Sequence, residues 1–195
     1  MIIRLLIILG CVVVFINGCN SVISQHFGTH KLRAYTIEEA LRNGVGDADF
    51  IELEGAWLPG DFVYKAAKNP NNPGVIIYPV LSAEQQQARD SGQPVKPGII
   101  AWTANFPSEC VEAGNCIRPE QLSLRGIVRD LPKDRRATHL LQSKGYEINE
   151  NALLIEHGRS PLAWHWNVLM MLGAALAILL VEAYNQRKLK SQDRA

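Results

Sequence analysis

Residues 163–181, AWHWNVLMMLGAALAILLV, contain no Asp, Glu, Lys or Arg. At about 1.5 Å per helical residue they are long enough to span the ~30 Å hydrocarbon core of a bilayer. The stretch reads as a transmembrane helix occupying residues 162–184, and that reading organises the rest of the chain. Trp164, His165 and Trp166 at its start and Tyr184 at its end have an apolar body and a polar tip, the kind of side chain that collects where lipid headgroups begin. Gly173 and Ala177 carry the small-xxx-small spacing that lets membrane helices pair. The tail, residues 185–195, carries Arg187, Lys188, Lys190 and Arg194. Lys and Arg beside a membrane segment stay in the cytoplasm, so the polypeptide before residue 162 is expected on the opposite, exported side.

The N-terminus points the same way. Arg4 precedes an apolar run over residues 5–16, about 12 residues, the length of a signal-peptide core. Beyond it, in VFINGCNS (residues 14–21), Ile16-Asn17-Gly18-Cys19 resembles the lipobox of bacterial lipoproteins, in which an aliphatic, a variable and a small residue precede a cysteine that is acylated after cleavage. Asn17 is unusual in that pattern. Residues 1–23 are therefore either a lipoprotein signal peptide with lipidation at Cys19 or an uncleaved signal anchor. Both place the polar linker of residues 24–35 and the domain at residues 36–161 outside the cytoplasm, facing the periplasm from a bacterial inner membrane.

The 195 residues are 47% hydrophobic and 20% charged with a formal net charge of +1, which excludes a disordered chain and gives no basic excess for nucleic acid. Roughly 130 residues between the two ends suffice for one modest core. Cys110 and Cys116, in PSECVEAGNCIRP, are expected to form a structural disulfide in an oxidising compartment. A bridge over so short a loop contributes about 2–3 kcal/mol and fixes the loop as a rigid projection.

Within the domain, Thr36-Ile37-Glu38-Glu39 has the capping-box pattern and starts a helix that Gly44 and Gly46 end. DFIELEGAWL suggests a strand with a bulge at Gly55, and Pro59-Gly60-Asp61 a turn into a hairpin partner, FVYKAA. GVIIYPVL is the most apolar strand, with Pro79 near an edge, and GIIAWTANF, QLSLRGIVRDL (bulged at Gly126) and ALLIEH are further strands. Residues 83–97 read as a helical turn or two within a loop, and Pro132 opens a second helix with Ala137, Leu140 and Leu141 as its apolar stripe. The fold expected is α+β: a small antiparallel β-barrel or curled sheet with two short helices, flanked by the N-terminal signal or anchor segment and the C-terminal transmembrane helix.

No nucleophile elbow, phosphate-binding glycine loop or zinc-ligand spacing is present, so no catalytic, cofactor-binding or metal-binding residue is assigned, and the chain reads as non-enzymatic. The basic group Arg125, Arg129, Lys133, Arg135 and Arg136 mirrors an acidic group, Asp47, Asp49, Glu52, Glu54 and Asp61, that alternates as a solvated strand face would. The basic side chains can pair within the domain, contact anionic headgroups or meet a partner. His165 between two tryptophans leaves open a haem or metal chaperone, and a small-ligand-binding envelope domain is a further alternative.

The order of leader or anchor, exported mostly-β domain, C-terminal membrane helix and basic tail resembles the layout of small two-helix membrane-tethered assembly factors, among them the cytochrome-oxidase assembly family related to Surfeit locus protein 1. The strand GVIIYPVL is similar to that family's sheet segments. The oligonucleotide-fold haem chaperones share the small-barrel plan, but their haem-attaching histidine context and tail pattern are absent here. The resemblance carries no site residue across. It implies an accessory or assembly protein held at the bilayer that docks on another envelope protein or complex.

Overall fold

The computed structural model describes residues 2–67, 74–131, 135–147 and 149–192. They divide into two compact units, one of residues 32–160 and the other of the two chain ends, up to residue 31 and from residue 161.

The unit of the chain ends is a pair of helices, α1 (Ile2–Phe27) and α5 (Trp164–Gln192), each containing a stretch long and apolar enough to cross a membrane. Neither contains proline, and the apolar run of each is hydrophobic on every side, as suits a helix surrounded by hydrocarbon. They run antiparallel, and polar contacts fix the register. Arg4 grips the Glu182 carboxylate at 2.6 Å, Asn167 donates to Ser21 at 2.9 Å, and the Gln25 amide donates to the Leu162 carbonyl at 2.5 Å. α1 passes without interruption through Gly18 and Cys19. Gly18, buried in α1, packs tightly against α5, since a Cβ there would lie 2.5 Å from Met171 Cγ and 3.2 Å from the Asn167 carbonyl oxygen. Asn167 and Ala174, seven residues apart, are buried on α5, the spacing of a left-handed helix seam. Gly173 lies off this seam, because a Cβ on it would meet nothing within 4 Å. Trp164, Trp166 and Tyr184 are exposed.

The other unit contains β1 (Arg33–Thr36), α2 (Ile37–Asn43), β2 (Phe50–Leu58), β3 (Val63–Lys65), β4 (Val75–Val80), α3 (Ala83–Asp90), β5 (Ile99–Thr103), α4 (Glu109–Ala113), β6 (Glu120–Val128), a 3₁₀ helix (Arg135–Lys144) and β7 (Leu153–His157). The strands form one sheet in the order β1-β2-β6-β7-β5-β4-β3. This corrects the expected closed antiparallel barrel. The sheet is open, with β1 and β3 as edges, and mixed, because β1 runs parallel to β2 and β5 parallel to β7. Parallel pairs need crossovers, and α2 supplies the first of them. The sheet nevertheless curls. Although β2 and β4 are separated by three strands, Trp57 at the end of β2 exchanges two 2.9 Å hydrogen bonds with Leu81, just after β4.

The helix count also differs from the expected two: the described residues of this unit hold three short α-helices and a 3₁₀ helix. α3 has a full capping box in which the Ser82 hydroxyl takes Gln85 N–H and the Gln85 side chain returns to Ser82. α2 has the Thr36 half of such a box. The expected hairpin of β2 with β3 is absent; β3 pairs with β4 at the far edge instead. The helix start expected at Pro132 falls outside the described residues.

Both faces of the central strands are covered, which explains why GVIIYPVL and GIIAW read as continuous apolar runs rather than alternating ones. Tyr78, Val80, Ile99, Ala101 and Ile155 join Ile37 and Ala40 of α2 in one core. Ile77, Ile100, Trp102 and Leu154 join Ala137 and Leu141 of the 3₁₀ helix in the other, while Leu140 is exposed. Pro79 fits a sheet interior for a local reason. Leu81 turns its N–H away from β5 toward Trp57, and Pro79, two residues earlier, faces the same way, past the register where β3 ends at Ile77. Its missing donor therefore leaves no ladder bond unmade.

β2 has the expected irregularity, a register shift between Leu53 and Ala56 with Gly55 at φ 74°. Gly126 is not a bulge. It pairs in register with His157, and a Cβ there would lie 2.5 Å from the Glu156 carbonyl oxygen and 2.6 Å from Ile155 Cγ2. Gly126→Ala is therefore expected to destabilise the sheet unit by about 1–3 kcal/mol, the usual scale of overpacking. Chemical denaturation of the purified chain measures it, and an unchanged midpoint would show that β6 and β7 separate freely.

Candidate functional site

Three constellations of polar side chains form in the sheet unit. The first is the disulfide loop between β5 and β6. Cys110, in α4, joins Cys116 with their Cα atoms 4.7 Å apart. α4 ends at Gly114 in the left-handed conformation, φ 67°, which lets the chain turn back within the bridged loop. The loop is braced from below, since Gly60 packs against Pro119 so closely that a Cβ would sit 3.3 Å from its ring. Phe106 stacks edge-on against Tyr64 of β3, ring centres 6.0 Å apart. Glu109 and Glu112 stand exposed on α4.

The second is a network around Asp61. Arg89 of α3 meets its carboxylate at 2.5 Å and the Tyr146 hydroxyl donates to it at 2.7 Å, tying the β2–β3 turn, α3 and the end of the 3₁₀ helix together. Burial, reinforced by the bond to Asp61, pushes the Tyr146 hydroxyl above its usual pKa. The sequence pattern placed Asp61 on a solvated acidic face; the structure makes it a half-buried anchor. Its partners lie up to 85 residues away and belong to different elements, so no local spacing could have announced them.

The third is Tyr78 with His157. Tyr78 is fully buried in the α2-side core, and its hydroxyl bonds His157 Nδ1 at the end of β7. Burial raises the Tyr78 pKa and lowers that of His157, which favours the neutral form of both groups. A hydroxyl so deep in a core needs such a partner.

The basic group is partly neutralised within the sheet. Arg125 lies opposite Glu52 in register and pairs with it at 3.0 Å, while Ser123 donates to the same carboxylate at 3.0 Å. Those bonds, Arg125 first, hold the Glu52 carboxyl below its usual pKa. Arg129 reaches Glu156 at 3.4 Å. Arg135 and Arg136 open the 3₁₀ helix, and Lys133 lies outside the described residues. His165 touches both neighbouring tryptophan rings, at 6.1 and 5.7 Å between ring centres.

An open crevice of about 540 Å³ lies among the end of α2, the start of β5, the end of β6 and the approach to β7, lined by Leu41, Gly98, Val128, Arg129, Asn149 and Leu153 among others. Its polar wall is largely occupied: Arg129 pairs with Glu156, and Asn149 Oδ1 accepts the Asn151 N–H at 3.1 Å. Among the described residues, no three His, Cys, Asp or Glu side chains converge as metal ligands.

Comparison of the chain with family models, with curated proteins and with solved structures finds no match.

The Tyr78 and His157 pair gives a pH dependence whose sign follows from burial. His157 titrates lower in the fold than its ordinary 6.5, so on acidification the unfolded chain takes the proton first. Stability contributed by the neutral ring is present above 6.5 and is lost as pH falls from there toward the folded value. Melting curves of the purified chain between about pH 7.5 and 5 are expected to show Tm falling with pH, and His157→Asn to flatten that slope. A slope unchanged by the substitution would assign the loss to other groups.

Proposed function

We propose that this protein is a non-enzymatic, membrane-tethered domain of the bacterial cell envelope that docks on another envelope protein or complex as an accessory or assembly subunit. The observation that carries the reading is the antiparallel pair α1 and α5. Two apolar helices of membrane-spanning length bracket the sheet unit in sequence and are joined to each other by an ion pair and hydrogen bonds. A domain inserted between two such helices emerges on one side of a bilayer and leaves both helix tails on the other. The basic residues of the last turns of α5 and beyond favour the cytoplasm for the tails and hence the periplasm for the sheet unit. The disulfide between Cys110 and Cys116 suits an oxidising compartment.

The surface best built for docking is the disulfide loop. Its bridge, its Gly60 to Pro119 contact and the Tyr64 to Phe106 pair fix its shape in advance, and binding then costs little ordering entropy. A second reading, a small-ligand-binding envelope domain, rests on the crevice beside Arg129 and Asn149. Capture of the tagged chain from solubilised membranes distinguishes the two. A stoichiometric protein partner is expected, and Cys116→Ser is expected to lose most of it while the variant chain remains in the membrane fraction. A chain recovered alone, with a small molecule bound, would end the docking reading.

A further inference from the structure

Residues 16–19 carry two incompatible functions. A lipoprotein is cut between Gly18 and Cys19, which would discard α1 up to Gly18 and leave a mature chain beginning at an acylated Cys19. The smallness of Gly18 would then serve the peptidase. The structure gives it another use, because Gly18 is buried against α5, and any side chain there would run into Met171 and the Asn167 backbone.

The rest of the seam agrees. Arg4 closes on both oxygens of Glu182 at 2.6 Å, across 178 residues of sequence. Asn167, only 3% exposed, spends its side-chain amide on Ser21, and Gln25 satisfies the carbonyl of Leu162 just before α5. In hydrocarbon, polar groups on one helix require partners on another. Cleavage after Gly18 would strip Arg4 from Glu182 and expose the Met171 and Ala174 face of α5.

We propose that α1 is retained as a second membrane span, that Gly18 is a helix-packing residue rather than part of a cleavage site, and that Cys19 stays an unacylated thiol within α1. The inference rests on the membrane-tether reading above and decides what forms the tether. It also puts Met1 on the same side of the bilayer as the C-terminal tail.

Intact mass spectrometry of the chain purified from membranes through a C-terminal tag tests it. The expected species runs from Met1 to Ala195, 21.7 kDa before the tag, with no acyl group. A species beginning at Cys19, or at any later residue, overturns the proposal. Gly18→Leu supplies the second arm. Retention predicts the same full-length mass with a lowered melting temperature, partly restored by adding Met171→Ala to make room. A variant that accumulates as a longer precursor than the wild-type chain overturns it. A full-length chain released from membranes by an alkaline wash would overturn the tether reading and the span with it, whereas a cleaved chain that resists the wash would overturn the retention of α1 alone, so the two failures are distinguishable.

Discussion

The helix seam decides how the two ends of this chain are held together. Two helices whose outer surfaces are apolar have no hydrophobic reason to find each other in a lipid environment, so their association depends on close packing and on polar contacts. Gly18 and Ala174 permit the first, while Arg4 with Glu182, Ser21 with Asn167 and Gln25 with the Leu162 carbonyl provide the second. Because these contacts are spread along α1, they fix both the register and the antiparallel sense. The polypeptide between the helices must then leave and return at the same end of the pair.

The sheet unit has a core of its own on each face. α2 covers one side of the central strands and the 3₁₀ helix the other, so β4 and β5 carry no solvated face. Two crossovers make the sheet mixed and keep it open, and the Trp57 to Leu81 bridge curls it without closing it. The polar networks at Asp61 and at Tyr78 stitch loops and strand ends to this frame. The disulfide, the Gly60 to Pro119 contact and the Tyr64 to Phe106 pair hold the loop between β5 and β6 in one shape.

Much of this was legible because the signals are local. The apolar length of α5, the disulfide spacing, the bulge at Gly55 and the strands β2, β4, β5, β6 and β7 follow from composition and periodicity over short windows, whereas the 12-residue apolar run read at residues 5–16 fell well short of the 26-residue α1. β1 was missed, since four residues (RAYT) at the end of a polar stretch carry no pattern, and only the parallel register with β2 makes them a strand. α3 was read as a turn or two in a loop although Ser82 and Gln85 form a complete capping box; the proline-rich exit obscured it. The pairing of β3 with β4 rather than β2 is tertiary information, because Pro59-Gly60 makes a turn without dictating which strand the chain meets afterwards. The site-level contacts were invisible for the same reason: Asp61 with Tyr146, Tyr78 with His157 and Arg4 with Glu182 join residues that no window contains.

The claim on which the account turns is that both helix tails share one side of a membrane and the sheet unit lies on the other. An impermeant thiol reagent applied to intact cells, with single cysteines placed at Asn151 or at Gln186 in a chain lacking Cys11 and Cys19, measures this directly. The account predicts that the cysteine at position 151 is labelled at once and the one at 186 only after the membrane is opened. Labelling of position 186 in intact cells, alone or together with 151, would contradict it.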